Sequence, residues 1–248
     1  MKWWLLLLLV VSSNCLAGTR VVSLNRCYDR WLSELLPANW QLVATTVHGN
    51  RLEALIALQA DYIIASSFTD PRLLQQLSTV STVHVLQQPN DYSQWQYEVR
   101  RLGQQLQLSA ATEQWLQRQH AELMQLSSSL SEVLIIMPNY YTWAHDSWVA
   151  NLLKSLDINL VSPVQQGQVG QLRLEQLIQL SAERVVFEGF SDAYSRGQDW
   201  RYHPAVQRWL EPRRVTSISA AVAACPAINA VAYLQQMIAP VEVSVDAH

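Results

Sequence analysis

Charged residues are scarce in this sequence, and neither sign dominates. They make up 15% of the 248 residues, against about 25% in ordinary soluble domains. The 17 basic and 20 acidic residues leave a net charge of -3, too acidic for a protein that neutralises many phosphates. Half of the residues are apolar, which disfavours intrinsic disorder. The composition therefore indicates a folded protein that binds no nucleic acid.

Motifs of common enzymes and metal sites are also missing. The sequence has no Gly-x-Ser-x-Gly, no Cys-x-x-Cys and no His-x-x-x-His. His145, Asp146 and Ser147 are adjacent, and neighbouring side chains point in different directions, so they cannot form a catalytic triad. No catalytic residue is therefore expected, and a periplasmic enzyme is the least favoured alternative. A free transition-metal site remains an alternative, because His48, His145 and a cysteine could converge from different loops.

No apolar run is long enough to span a membrane. The run from Trp3 to Val11 has about nine residues, and a spanning helix needs about 20. It follows a basic residue and precedes small and polar residues that end at Ala17, the order of a secretory signal peptide. We expect residues 1–17 to be removed and the mature protein to be exported to the periplasm. Acylation of Cys15 is a weaker alternative, because bulky Asn14 stands where lipoproteins normally have a small residue.

Phenylalanine is rare, whereas tryptophan and tyrosine are abundant. The counts are three Phe, ten Trp and nine Tyr. Rings that carry a polar edge suit a hydrated binding surface as well as a core.

The chain contains an internal repeat. Residues 51–65 align without a gap on residues 173–187, and each copy reads as a short amphipathic helix followed by a buried strand. The apolar residues Leu52, Leu55 and Ile56 recur at helical spacing, as do their counterparts in the second copy. With the flanking apolar runs, each half reads as four strands alternating with helices. This alternation predicts a parallel sheet covered on both faces.

A helical segment separates the two halves. The apolar stripe between Tyr92 and about Leu126 fits one long helix, or two abutting helices that meet near Ser109. The predicted fold class is α/β, with two Rossmann-like lobes whose parallel sheets are joined by a long backbone helix. The predicted boundaries are a signal peptide at 1–17, an N-terminal lobe at 18–90, a linking helix at 91–128 and a C-terminal lobe at 129–248.

These features together resemble a known family, the class III periplasmic substrate-binding proteins of ABC importers. The resemblance covers essentially the whole mature chain. It is carried by the strand Arg20 to Leu24, the Leu-Glu-x-Leu-Ile segment that ends at Ala65, the stretch from Arg101 to Leu116, and Cys225-Pro226 before the last helix. One departure is the short connection between Thr46 and Arg51, which predicts a lower wall on one side of the cleft.

The resemblance implies a non-enzymatic function. It implies capture of an iron chelate, either a siderophore or haem, or of cobalamin, and delivery to an ABC permease in the inner membrane. It also implies a monomer with no resident cofactor, since any metal or corrin belongs to the ligand. Glu53 and Glu175 occupy equivalent positions of the repeat, each at a helix start. In this family such glutamates on the lobe tips contact arginines of the permease.

The fold also predicts where a ligand binds. In open parallel sheets, ligands bind outside the carboxyl ends of the strands. The candidate ligand-binding residues in those loops are Arg26, Tyr28, Phe68, Tyr140, Tyr141, Trp143, His145 and Phe190. Tyr140 or Tyr141 could ligate haem iron through its phenolate oxygen, and Arg26 could pair with a ligand carboxylate.

Two cysteines remain after removal of the signal peptide. Cys27 follows the first strand of one lobe and Cys225 follows the last strand of the other. Both loops can face the cleft, and an exported protein meets an oxidising compartment. We therefore predict a disulfide that staples the lobes; reduced, the pair would be a candidate soft-metal site.

Overall fold

The computed structural model describes residues 18–190 and 196–239, so the predicted signal peptide lies outside the described residues. The elements of the N-terminal lobe are β1 (Arg20–Ser23), α1 (Arg26–Leu35), β2 (Gln41–Val43), α2 (Thr45–His48), α3 (Leu52–Ala57), β3 (Tyr62–Ser66), α4 (Pro71–Leu77) and β4 (Thr82–Leu86). The connecting helices are α5 (Tyr92–Gln105) and α6 (Ser109–Met124). The elements of the C-terminal lobe are β5 (Glu132–Ile136), β6 (Tyr141–Trp143), α7 (Trp148–Lys154), β7 (Asn159–Leu160), β8 (Val169–Gln171), α8 (Leu174–Leu177), β9 (Arg184–Glu188), α9 (Pro204–Leu210), β10 (Arg214–Ile218), α10 (Ala220–Ala223) and α11 (Ala230–Ile238), with 3-10 helices at Pro138–Tyr140 and Arg196–Tyr202.

Each lobe is built on a four-stranded parallel sheet. The strand order is β2-β1-β3-β4 in the N-terminal lobe and β10-β9-β5-β7 in the C-terminal lobe, and every neighbouring pair runs parallel. A small antiparallel ribbon of β6 and β8 is added to the second lobe. The predicted fold class, α/β with parallel sheets in two lobes, is confirmed.

The sheets are buried on both faces, as parallel sheets with helical crossovers must be. Successive side chains of a strand point to opposite faces. Val22 and Ile63 accordingly pack against Leu55 on the outer side of the N-terminal lobe. Val21 and Ile64 belong to the core on the opposite face. Alternate residues of these continuous apolar strands therefore pack into two different cores, one on each face of the sheet.

The helix in each repeat copy is less buried than its apolar pattern predicts. Leu55 and Leu177 are fully buried, but Ile56 and Ile178 are 43% and 40% exposed. The helices α3 and α8 have six and four residues, which is less than two turns. Leu55 and Ile56 are adjacent, so their side chains project about 100° apart around the helix axis, and only Leu55 faces the core. Ile178 follows the last residue of α8 and faces outward in the same way.

The connection between the lobes consists of two abutting helices, α5 and α6. The expected single long backbone helix is therefore wrong, and the alternative arrangement is the one found. The helix α5 ends before Gln107, which has a positive φ of 59°, and Leu108 donates its backbone N–H to the carbonyl of Gly103. A Cβ atom on Gly103 would overlap the side chain of Thr112. Glycine therefore permits α5 and α6 to meet closely at this junction. No helix among the described residues is long and apolar enough to cross a membrane.

One apolar core runs through both lobes and the connection. The helix α6 packs against α1 of the first lobe and α11 of the second. Trp31 meets Trp95 and Trp115 edge to face, with ring centroids 5.2 and 6.1 Å apart, and Trp148 and Tyr233 belong to the same cluster. A core shared in this way opposes separation of the lobes.

A disulfide joins the lobes covalently, as the sequence predicted. Cys27 lies in the first turn of α1 and Cys225 follows α10, and their Cα atoms are 5.6 Å apart. The two residues are separated by 198 positions in the chain. The bridge therefore closes almost the whole described chain into one loop.

Replacing both cysteines by serine should lower the free energy of unfolding by up to about 5 kcal/mol, the loop-closure entropy that the bridge removes from the unfolded chain. Urea denaturation of the oxidised protein and of the C27S/C225S variant measures this difference. The C225S single variant is the control, because it already lacks the bridge and should unfold like the double variant. Equal midpoints for the oxidised protein and the double variant would contradict a stabilising bridge.

Candidate ligand-binding cleft

A cavity of about 110 Å³ lies between the two lobes. Aromatic rings, amides, prolines and the disulfide form its wall. The first lobe and the start of the connection contribute Asn25, Cys27, Tyr28, Gln88, Pro89 and Trp95. The second lobe contributes Trp143, Trp148, Gln168 and the segment from Ala224 to Ile228. None of these lining side chains carries a charge.

The loop after β1 positions the first part of the wall. The Asn25 side chain caps α1 by accepting a hydrogen bond from the backbone N–H of Cys27 at 2.9 Å. This cap fixes the first turn of the helix and places Cys27 and Tyr28 at the cavity. Burial, reinforced by the charge of Glu98, raises the pKa of Tyr28 to about 12. The phenol is therefore a neutral hydrogen-bonding ring at every physiological pH.

A partly buried ion pair fixes the next part of the wall. Glu98 accepts a hydrogen bond from the backbone N–H of Gln87 at 2.9 Å and pairs with Arg101 at 2.6 Å. Arg101 in turn donates to the carbonyl oxygen of Val85 at 2.6 Å. These contacts tie α5 to the end of β4, and the short loop between them presents Gln88 and Pro89 to the cavity.

A buried carboxylate holds Trp143 in place. Glu188 stands at the carboxyl end of β9 and is only 2% exposed. One of its oxygens, Oε2, accepts hydrogen bonds from the indole N–H of Trp143 and from the hydroxyl of Tyr233, both at 2.6 Å. Burial raises the pKa of Glu188 to about 7 despite both donors. Glu188 thus couples β6, β9 and α11 at the cavity wall.

The N-terminus of α7 completes the wall. Ser147 caps this helix by accepting the backbone N–H of Ala150 at 3.2 Å. Gln168 accepts the backbone N–H of Trp148 at 3.1 Å through its Oε1 atom. Trp148 is also close to Tyr92, with ring centroids 6.3 Å apart, so its indole is held between the connection and the second lobe.

The structure brings together only part of the predicted ligand set. Tyr28 and Trp143 line the interlobe cavity beside the disulfide. Arg26 instead lines a cavity of about 430 Å³ that also contacts Cys27 and Cys225. His145 directs Nε2 to the carbonyl oxygen of Ser162 at 2.8 Å, so its imidazole braces a loop.

The remaining predicted residues lie elsewhere on the lobes. Tyr140 stacks on Trp200, with centroids 4.8 Å apart, and lines a separate cavity of about 600 Å³ in the C-terminal lobe. Phe190 packs edge to face on Trp200. Phe68 and Tyr141 are 79% and 40% exposed. These four side chains are not part of the interlobe wall.

Sequence reasoning missed several wall residues. Trp95 and Trp148 lie on helices, as do many core residues, whereas the fold predicts ligand contacts in the loops after strands. Each stands in the first turn of its helix, close to the preceding loop. A tryptophan in the first turn after a strand end was the available signal. Gln88 and Gln168 carried no signal beyond their place in loops.

The two glutamates predicted to dock the permease are both exposed. Glu53 lies in the first turn of α3 and Glu175 in the first turn of α8. The structure therefore presents one carboxylate at the equivalent position of each lobe.

The buried carboxyl of Glu188 predicts a specific pH dependence of stability. Its pKa rises from an ordinary 4.5 to about 7 on folding, so the folded protein holds the proton more tightly than the unfolded chain. The contribution of the protonated carboxyl to the unfolding free energy is fully present below about pH 4.5. It is lost as the pH rises from there through about 7. In E188Q, the fall in unfolding free energy across this window should shrink by about 3 kcal/mol.

Urea denaturation at several pH values measures the effect. The E183Q variant is the control: hydrogen bonds from Ser131 hold the pKa of Glu183 below its ordinary value, so this carboxylate stays ionised across the window. The same pH slope in E188Q as in the unmodified protein would contradict the assignment to Glu188.

Several solved structures share this fold. The periplasmic haem-binding protein HutB of Vibrio cholerae is 15% identical, with a TM-score of 0.65 over 90% of this chain and 100% of that chain. The siderophore-binding protein FhuD of Vibrio cholerae, solved with Fe³⁺-Desferal, is 18% identical, with a TM-score of 0.64 over 90% and 100%. The periplasmic vitamin B12-binding protein BtuF of Vibrio cholerae is 15% identical, with a TM-score of 0.62 over 90% and 96%.

No protein-family model and no curated protein matches the chain. The structural similarity is nevertheless extensive, because it covers nearly all of each matched protein. It establishes that the chain has the fold of the class III periplasmic binding proteins, which its sequence predicted.

Proposed function

We propose that this chain is the substrate-binding component of an ABC importer. It captures an iron chelate, either a siderophore or haem, or cobalamin, in the cleft between its lobes and delivers it to a permease of the inner membrane. The observation that carries the proposal is the aromatic, charge-free cavity at the junction of two lobes of this fold. Proteins that share the fold are described as binding haem, a ferric siderophore and vitamin B12.

The contacts of the polar groups near the cavity support binding rather than catalysis. Ser147 is fully buried and caps α7, and His145 contacts a backbone carbonyl. Glu188 is occupied by Trp143 and Tyr233. These three polar side chains therefore hold elements in place, and the wall itself offers rings and amides that suit recognition of a bulky, partly apolar guest.

The same contacts favour a chelated metal over a bare ion. The sulfur atoms of Cys27 and Cys225 are joined in a disulfide, which removes the thiolates that soft metals prefer. His48 is buried, donates through Nε2 to Ser23 at 3.0 Å and accepts the backbone N–H of Asn50 through Nδ1. The candidate ligands of a free-metal site are therefore engaged in structural contacts.

The proposed function also includes a periplasmic location for the protein and a docking role for its two exposed glutamates. The predicted signal peptide and the interlobe disulfide both fit the oxidising periplasm. Glu53 and Glu175 stand exposed on equivalent helices of the two lobes, where one permease could contact both. Because the lobes share a core and a covalent bridge, closure around the ligand is small.

The protein purified from the periplasm of its host, without chelator, should carry a coloured cargo. Ferric chelates, haem and corrinoids absorb at different wavelengths, so the absorption spectrum with metal analysis identifies the class. Iron or cobalt in equal amount to the protein, together with an organic chromophore, is the expected result. A bound metal with no chromophore would favour the free-ion alternative instead.

Reversing both docking charges, in E53K/E175K, should abolish cargo uptake in cells that depend on this protein, while the purified variant keeps its affinity for the cargo. The reason is that both residues lie outside the cavity and face the solvent. The matched control is E132K/E211K, which reverses two exposed glutamates away from these helices and should leave uptake intact. Loss of cargo affinity in E53K/E175K would count against a docking role.

A further inference from the structure

The disulfide between Cys27 and Cys225 lines two cavities of different character. The interlobe cavity has no charged side chain in its wall. The second cavity, of about 430 Å³, is bounded by Arg26, Arg30, Asn229 and three alanines from α10 and the residue after it. Both cysteines are partly exposed, and the alanine side chains are small. A small molecule in the second cavity therefore stands beside the bridge.

Two arginines make this second cavity positive. Arg26 and Arg30 are four positions apart on α1 and so lie on one face of the helix, where like charges repel. The guanidinium of Arg26 forms no ion pair or hydrogen bond within residues 18–190 and 196–239. Arg30 meets Glu34 at 3.5 Å in an exposed pair, which solvent weakens. Since no acidic side chain lines the cavity, an anion is favoured there.

The two sulfur atoms of the bridge have different surroundings. Cys27 is the second residue of α1, a helix of ten residues, whereas Cys225 follows the short helix α10. A helix N-terminus and neighbouring cations stabilise a thiolate. Asp29, the acidic residue of the same turn, accepts hydrogen bonds from Thr45 and lines neither cavity. Cys27 is therefore the better leaving group, and Cys225 is the sulfur that an incoming thiolate attacks.

We propose that the bridge is a site of thiol–disulfide exchange with small anionic thiols, which the arginine-lined cavity receives. The incoming thiolate bonds to Sγ of Cys225, the bond between the two protein sulfur atoms breaks, and its electron pair stays on Cys27. A second thiolate attacks the incoming sulfur of this mixed disulfide, which releases an external disulfide and a Cys225 thiolate. Two thiols are thus oxidised to one disulfide, the protein gains two electrons, and the protons of the thiols pass through water to the protein thiolates.

The exchange changes how the lobes are held. The reduced protein lacks the covalent link, so only the shared apolar core opposes separation of the lobes. Because exchange is reversible, the thiols and disulfides of the compartment set the fraction of protein that is bridged. The inference is independent of the identity of the cargo and of import.

Three small thiols test the inference on the purified, oxidised protein. As thiolates, 3-mercaptopropionate carries two negative charges, 2-mercaptoethanol carries one, and cysteamine has no net charge. N-ethylmaleimide stops each reaction, and mass spectrometry of the peptides measures the loss of the bridge. Raising the salt from about 0.01 M to about 1 M shortens the screening length about tenfold. It should slow mercaptopropionate by about tenfold, mercaptoethanol less, and cysteamine hardly at all.

The same peptides identify the sulfur that is attacked. In samples stopped early, the first product should carry the added thiol on Cys225 and the maleimide on Cys27. This distribution follows from the position of Cys27 at the start of α1.

A pair of double variants assigns the charge effect. R26Q/R30Q removes both cations of the cavity, so salt should no longer slow mercaptopropionate. R72Q/R208Q is the matched control, because it removes two exposed arginines that line neither cavity, and it should keep the salt effect. The salt and peptide results on the unmodified protein stand even if R26Q/R30Q is unstable.

Three results would overturn the inference: exchange with mercaptopropionate that salt does not slow, a first adduct on Cys27, or a bridge that reacts only after urea has unfolded the protein. None of them bears on import, which the identity of the cargo and the docking variants decide.

Discussion

The disulfide between Cys27 and Cys225 is the constraint on which the rest of the arrangement depends. It joins the first turn of α1 in one lobe to the segment after α10 in the other, and both cysteines line the cavity. Behind the bridge, the apolar core around Trp31, Trp95 and Trp115 also joins the two lobes. The lobes are thus fixed on both sides of the cavity, and the cavity has a defined width before any ligand arrives.

Under the proposed function, this fixed geometry is the source of the cavity's selectivity. The Asn25 cap, the ion pair of Glu98 and the hydrogen bonds of Glu188 each hold one wall segment in place. Burying Glu188 is costly, and two donors offset part of that cost. A preorganised wall loses little entropy when a ligand binds, so rigid rings and a few amides suffice for recognition without charges.

The sequence predicted the architecture well because the relevant signals are local. Residues 51–65 and 173–187 repeat the pattern of a helix and a buried strand, and that pattern follows from the two-sided burial of a parallel sheet. The disulfide was predictable once Cys27 and Cys225 were placed on loops of opposite lobes. The wall was only partly predictable. Tyr28 and Trp143 follow strand ends, and Trp148 stands in the first turn of α7. Gln88 and Gln168 reach the cavity through tertiary packing, which sequence spacing does not encode. The exposure of Ile56 similarly depends on which face of α3 packs on the sheet, which the apolar pattern alone does not fix.

The central claim is that two lobes held at a fixed separation capture a ligand with little movement. Small-angle X-ray scattering tests it most directly, on oxidised protein isolated with its cargo and on the same protein after the cargo has been removed. The account predicts radii of gyration and scattering profiles that agree within experimental error. A clear compaction of the loaded protein would contradict it, because that result requires a hinge that the shared core and the disulfide do not allow.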